Sequence, residues 1–273
     1  MAGQILNRKD QYALITGGSA GIGKALAIQL ARMGKPVLLV ALPGQDLEET
    51  VQWIRTTLGV DAQGFGIDLR EKDSPLRVFR WVKDSGFLVD FLVNNAGMGG
   101  AGSFEMMTWE SIHEYIDLNV RSVTLMTHCF LPLLSSAGSA WILNVSSMAA
   151  FFDIPYKSLY SATKSHVLSL SRSLNAELKP MGIHVSVLCP NAVLTSEEVN
   201  HRIKLHGQKM RLLQVTTEQL AKRTLSKMSG GRFLILQSRL DRFLYLGSRV
   251  LPKRWQSRLL FKEFSKEMNP TDG

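Results

Sequence analysis

Cysteine is nearly absent from this chain: Cys129 and Cys189 are the two present in 273 residues, so no disulfide framework holds the fold. Each lies in an apolar segment, which suits buried thiols in a reducing compartment. No apolar run approaches the roughly 18 residues that a membrane span needs. The first ten residues are polar and lead straight into an apolar segment, so no signal peptide is expected. Internal repeats, low-complexity tracts and linkers are lacking as well. Acidic residues are scarce toward the end. Residues 201–273 hold 16 Lys+Arg against 5 Asp+Glu; the whole chain has 32 and 23, leaving 16 and 18 for residues 1–200. The first part is therefore near neutral and the tail strongly basic, which points to an anionic surface as partner.

What is present alternates. Short apolar runs at 12–16, 36–41, 62–67, 87–93, 141–145, 183–188 and 232–236 read as strands. Between them, 21–33, 46–58, 75–83, 109–134, 157–178 and 217–228 read as helices, the fourth cut near its end by Pro132. The run Pro-Val-Leu-Leu-Val-Ala at 36–41 is apolar throughout, as a strand buried on both faces must be. Such βαβ alternation predicts an α/β fold, a doubly wound parallel sheet of the Rossmann type. One dinucleotide-binding and catalytic domain is expected over 1–237, with a basic amphipathic C-terminal extension over 238–273.

The first strand runs into Thr16-Gly17-Gly18-Ser19-Ala20-Gly21-Ile22-Gly23. A glycine-rich turn between strand and helix can cradle a dinucleotide. Gly17 allows the tight turn, Gly21 lets the backbone approach phosphates and Gly23 permits close packing, with Ser19 and Ile22 completing the cradle. The following helix start offers N–H groups and a positive dipole end to pyrophosphate. Asp68, after the third strand, could accept from an adenine amino group or serve as a helix N-terminal carboxylate. The second strand ends in Ala41-Leu42-Pro43, where no acid repels a 2′-phosphate, which favours NADP(H) slightly over NAD(H).

Tyr160 and Lys164 are four apart on one helical face. A tyrosine near pKa 10 must become more acidic to trade a proton at neutral pH, and a neighbouring ammonium together with an oxidised nicotinamide would supply that bias. Ser147 follows the fifth strand, where open α/β sheets bind ligands, and could hold a substrate oxygen; Ser146 points the other way in an extended chain. Asn95, Ala96 and Gly97 end another strand, where small residues permit close cofactor approach. Asn119 lies inside the long helix. Thr195 could bond a cofactor carboxamide or phosphate, or cap the next helix.

These residues closely resemble the short-chain dehydrogenase/reductase family over roughly residues 10–235, with Thr-Gly-x-x-x-Gly-x-Gly at the turn and Asn-Asn-Ala-Gly at 94–97. The resemblance implies a catalytic tetrad of Asn119, Ser147, Tyr160 and Lys164. Tyr160 would be the acid/base, Ser147 would orient the substrate oxygen, Lys164 would bind the nicotinamide ribose and lower the tyrosine pKa, and Asn119 would hold a relay water. No metal enters this chemistry. One departure stands out: the family's Pro-Gly after the sixth strand is Pro190-Asn191 here, implying an altered nicotinamide contact. The long helices resemble those through which the family pairs subunits, implying a homodimer or homotetramer, although a basic tail could also leave a monomer on a membrane.

Residues 196–213 mix charges with apolar side chains and are expected to form a substrate lid. In the tail, Arg254, Arg258, Lys262 and Lys266 form one helical stripe, and Leu260, Phe261, Phe264 and Met268 another. Phe243, Leu244, Leu246, Val250 and Leu251 are interleaved with Arg239, Arg242 and Arg249. Such a tail can lie in a membrane interface, or its apolar stripe can pack on the domain. Lid and tail, like the ketoacyl and hydroxysteroid reductases that the tail resembles, suggest a lipophilic substrate: a fatty acyl, sphingoid or sterol-like ketone or secondary alcohol, handled in the cytoplasm, peripherally at the membrane surface. No nucleic-acid motif is visible, and no nucleic-acid partner is expected. A catalytically silent dinucleotide sensor of the same fold is the alternative, against which the intact Ser147, Tyr160 and Lys164 argue.

Overall fold

A computed structural model of the protein describes residues 10–191, 215–252, 254–258 and 260–261. Seven strands form one parallel sheet in the order β3-β2-β1-β4-β5-β6-β7: β1 Tyr12–Thr16, β2 Val37–Ala41, β3 Ala62–Gly66, β4 Val89–Asn94, β5 Ala140–Val145, β6 Ile183–Cys189 and β7 Leu234–Leu236. The helices are α1 Gly21–Arg32, α2 Gln45–Trp53, α3 Ser74–Asp84, α4 Trp109–Ile116, α5 Val123–Ser136, α6 Ser158–Leu178, α7 Thr217–Ser229 and α8 Arg239–Val250. All of β2, β4 and β5 are buried, as central parallel strands require. On one sheet face Leu26 and Leu30 of α1 join Leu47 and Val51 of α2 and Leu220 and Leu225 of α7. On the other, Val78 and Val82 of α3 meet Phe130 and Leu134 of α5 and Leu178 of α6. Burial at this scale, about 25 cal/mol per Å² of apolar surface, is what holds the layers together.

The long helix read over 109–134 is interrupted, but not at Pro132. The interruption is a π-type turn at Asp117–Ser122, between α4 and α5. Such a turn adds one residue to the helical repeat and redirects side chains. It faces Asn119 and Ser122 inward, and both are buried. Pro132 sits inside α5, which continues to Ser136, because fully buried Phe130 and Leu134 on either side anchor the helix despite the lost N–H.

Two buried polar features cross the apolar layers. Asn94 donates to Thr127 Oγ1 at 2.9 Å and to Asn144 Oδ1 at 2.8 Å, and Asn144 donates to Ser171 Oγ at 2.9 Å. This ladder joins β4, β5, α5 and α6 beneath the carboxyl ends of the strands. The second is an ion pair, Lys35 Nζ to Asp90 Oδ1 at 2.7 Å, with both side chains fully buried. Removing one member of a buried pair strands the other's charge and costs about 3–5 kcal/mol, whereas apolar replacement of both is often tolerated. Lys35→Met is therefore expected to lose about that much stability in urea unfolding, and Lys35→Met/Asp90→Leu to regain most of it. A double variant no more stable than the single one would contradict this account.

Candidate active site

A cleft of about 690 Å³ opens at the carboxyl ends of the strands, where the strand order reverses between β1 and β4. The crevice beside such a strand-order reversal is where open α/β sheets bind ligands, and the volume lies within the range of cofactor sites. The Thr16 hydroxyl holds the two rims in place. It donates to Val93 O at 3.3 Å and accepts from the backbone N–H groups of Asn95 and Ala96, each at 3.0 Å. The Asn95 amide returns the link, donating to Thr16 O at 2.9 Å and Gly17 O at 3.2 Å.

The glycine turn crosses this junction. Gly17 and Gly21 take left-handed backbone angles, φ 65° and 54°, which side-chain-bearing residues seldom adopt. At Gly23 a Cβ would collide with the Gly17 carbonyl and the Asn95 amide, so α1 can close onto the turn only through glycine. Gly17, Ser19, Gly21 and Ile22 line the cleft; Gly23 stands behind them. The α1 N-terminus has no side-chain cap and no acid in its first turn. Its N–H groups and dipole are thus directed at the cleft, the arrangement that binds phosphate.

Asp68 lines the wall beyond β3 and is not a helix cap, since α3 starts at Ser74. Its carboxylate accepts from the Arg70 backbone N–H at 2.8 Å and from the Arg70 guanidinium at 2.7 Å. These Arg70 hydrogen bonds hold the carboxyl below its usual pKa. Arg70 also donates to Glu114 of α4 at 2.6 Å, fixing the wall. Leu42, at the end of β2, lines the cleft without a charge.

Ser147, Tyr160 and Lys164 meet at the opposite end. Ser147 follows β5, and its hydroxyl accepts from Ala149 N–H at 3.1 Å, which fixes its rotamer. Ser146 also lines the cleft, and its hydroxyl donates to Lys164 O at 2.7 Å. Burial pushes the Tyr160 phenol up, a hydrogen bond with Ser147 draws it back, and the Cys189 thiol adds a smaller upward push. Lys164 Nζ lies 5.9 Å from the Tyr160 ring centroid and donates to Val145 O at 3.1 Å. Burial lowers its pKa from 10.5 to about 8. In net, the protein's own groups leave the phenol above its ordinary pKa. Asn119 does not line the cleft; its amide clamps the backbone of Met98, accepting from N–H at 2.9 Å and donating to C=O at 2.9 Å. Gly97 gives the room: a Cβ there would come within 3.0 Å of Asn119 Oδ1 and 3.1 Å of Lys164 Nζ.

Thr195 and the segment 196–213 lie outside the described residues. Sequence reasoning missed Gly99, whose missing side chain admits the Tyr160 ring, with a would-be Cβ 3.3 Å from Cε2. It also missed what Asn191 does. That residue lines the cleft, yet its side chain donates to Asp241 Oδ1 of α8 at 3.1 Å and its N–H to Gln237 Oε1 at 3.3 Å. The departure from Pro-Gly thus ties the cleft to the C-terminal helix, a partner 50 residues away that no local pattern reveals.

The lowered Lys164 pKa has a consequence for stability. Below pH 8 the folded chain keeps a buried ammonium, which disfavours folding. As pH rises from about 8 toward 10.5 the folded state gives up its proton before the unfolded state does, and the penalty fades. The Tm of Lys164→Met relative to the parent should therefore fall between pH 7 and pH 9.5 in paired thermal melts. A difference that stays constant with pH would refute this electrostatic reading.

Known proteins resemble this chain over most of its length. The sequence profile of the short chain dehydrogenase family matches residues 11–205. An uncharacterized oxidoreductase of Thermotoga maritima is 32% identical over 236 residues, covering 86% of this chain and 92% of that protein. The human 17-beta-hydroxysteroid dehydrogenase type 3 is 33% identical over 195 residues, covering 70% of this chain and 62% of that protein, so the chain spans less than two thirds of its length. Among solved structures, a short-chain dehydrogenase from Sphingobium yanoikuyae in complex with NADPH superposes with a TM-score of 0.75 at 30% identity, covering 88% of this chain and 93% of that one. The chain belongs to the short-chain dehydrogenase family and is an oxidoreductase.

Proposed function

We propose that this protein transfers a hydride between NADP(H) and a lipophilic ketone or secondary alcohol, with Tyr160 as the proton donor and acceptor. The observation that carries this reading is the meeting of Ser147, Tyr160 and Lys164 at one end of a cleft whose other end has a phosphate-binding geometry. The uncapped α1 N-terminus and the glycine cradle fit a dinucleotide. NADP(H) is supported by the uncharged end of β2 and by the NADPH held in the Sphingobium relative. Bound nicotinamide supplies the hydride and, when oxidised, a positive charge that favours the phenolate.

The chain's own residues supply the rest. Ser147, its rotamer fixed, donates to the substrate oxygen and stabilises charge developing there. Tyr160 delivers its proton to that oxygen in the reducing direction and takes it back in the oxidising one. Lys164, held by Val145 O, presents its ammonium to the ribose. Asn119 fixes Met98 and so the cleft wall next to Lys164; a relay water against this residue is part of the same proposal. A lipophilic substrate is supported by the exposed Phe104 and Met106 and by Phe261, whose ring lies 6.0 Å from that of Tyr156, four residues before the reacting tyrosine. The same exposed apolar residues support an enzyme working at a membrane surface.

Tyr160→Phe is expected to lower turnover of a hydrophobic ketone about 10²- to 10⁴-fold, the usual worth of a positioned acid. NADPH affinity, read by fluorescence titration, should stay within a few-fold of the parent. Unchanged turnover would overturn the assignment of Tyr160.

A further inference from the structure

Helix α8 is mounted the wrong way round for a helix that merely covers a soluble domain. Its inward face is small and mixed: Asp241 is 2% exposed, closes a capping box with Ser238 and accepts from Asn191. Tyr245 on the same side packs edge-on against Phe151, with ring centroids 4.8 Å apart. The outward face is apolar. Phe243, Leu246 and Val250, spaced three and four apart, are 71%, 59% and 82% exposed. Arg239, Arg242 and Arg249 flank them, all exposed, while the helix's one acidic residue, Asp241, is turned inward. Gln256 then folds the chain back, donating to Ser248 O at 2.9 Å and Leu251 O at 2.7 Å, and exposed Trp255, Arg254 and Arg258 extend the surface.

We infer that this face of α8 docks onto an anionic lipid bilayer, with Phe243, Leu246 and Val250 entering the headgroup boundary and the arginines engaging lipid phosphates and carboxylates. The inference rests on the membrane-surface reading above and gives it a specific surface. Charge selects the occupant. A second copy meeting this face across a two-fold axis would bring like-charged arginines together, whereas an anionic bilayer satisfies both the apolar centre and the basic flanks. Among the described residues no helix is long and apolar enough to cross a membrane, so the contact is interfacial. The Asn191–Asp241 hydrogen bond ties the docked helix to the cleft rim.

Flotation of the full chain with phosphatidylcholine vesicles, with and without equal parts phosphatidylserine, tests this. Binding should be at least about ten-fold stronger to the anionic vesicles and weaken with salt, since each surface arginine is worth about 1 kcal/mol there. Phe243→Ser/Leu246→Ser/Val250→Ser and, separately, Arg242→Ser/Arg249→Ser should each lower it about ten-fold or more. Turnover of a soluble ketone by both variants should match the parent, so a failure of docking is distinguished from a failure of the oxidoreductase assignment. Equal binding by the triple variant overturns the inference. So does a parent dimer that the triple variant converts to monomer, because a second copy then covers the face. Tighter binding to an oligonucleotide than to anionic vesicles overturns it as well.

Discussion

The cleft depends on the Thr16 hydroxyl, where three hydrogen bonds converge. A parallel sheet whose strand order reverses leaves two strand ends with no shared connection. Thr16 joins them, using its one donor and its acceptor capacity, and the Asn95 amide completes the link from the other side. Gly17, Gly21 and Gly23 then have a fixed frame on which to turn, and the α1 N-terminus acquires its direction. A side chain of valine's shape would fill the same space and leave two N–H groups and a carbonyl without this partner, at a cost of about 1–3 kcal/mol for each one desolvated.

The reacting end shows how burial and charge oppose one another. Desolvation works against the charged form of both groups, raising Tyr160 and lowering Lys164. The two pKa values, close together for the free groups, are thus pushed apart, with Lys164 below and Tyr160 above, which favours an uncharged phenol beside an uncharged amine until a charge binds next to them.

The sheet and the Tyr160–Lys164 pair that lines the cleft were legible in the sequence because both leave local marks. Unbroken apolar runs such as 36–41 follow from burial on two faces, and a glycine turn between strand and helix has few other uses. Tyr160 and Lys164 share a helical face by spacing alone. The features that were not legible depend on distant partners. The periodicity of 109–134 favoured one helix, and the inward turn at 117–122 arises because Asn119 finds the Met98 backbone. Arg70 reads as a surface arginine until Asp68 and Glu114 are seen around it. The amphipathic pattern of 239–250 was visible, but a pattern does not state which face turns inward; Asn191 and Phe151 decide that in favour of the Asp241–Tyr245 side.

The clamp at Thr16 also orders events in time. Ala96, one of its N–H donors, lies 80 residues further along the chain. A growing polypeptide therefore carries the turn Thr16–Gly23 through the synthesis of β2, β3 and the helices between, braced by Val40 of β2 but without the β4 end that completes the clamp. Contacts this distant in sequence are slow to close, so one of the earliest motifs to leave the ribosome is among those that wait longest for their final shape.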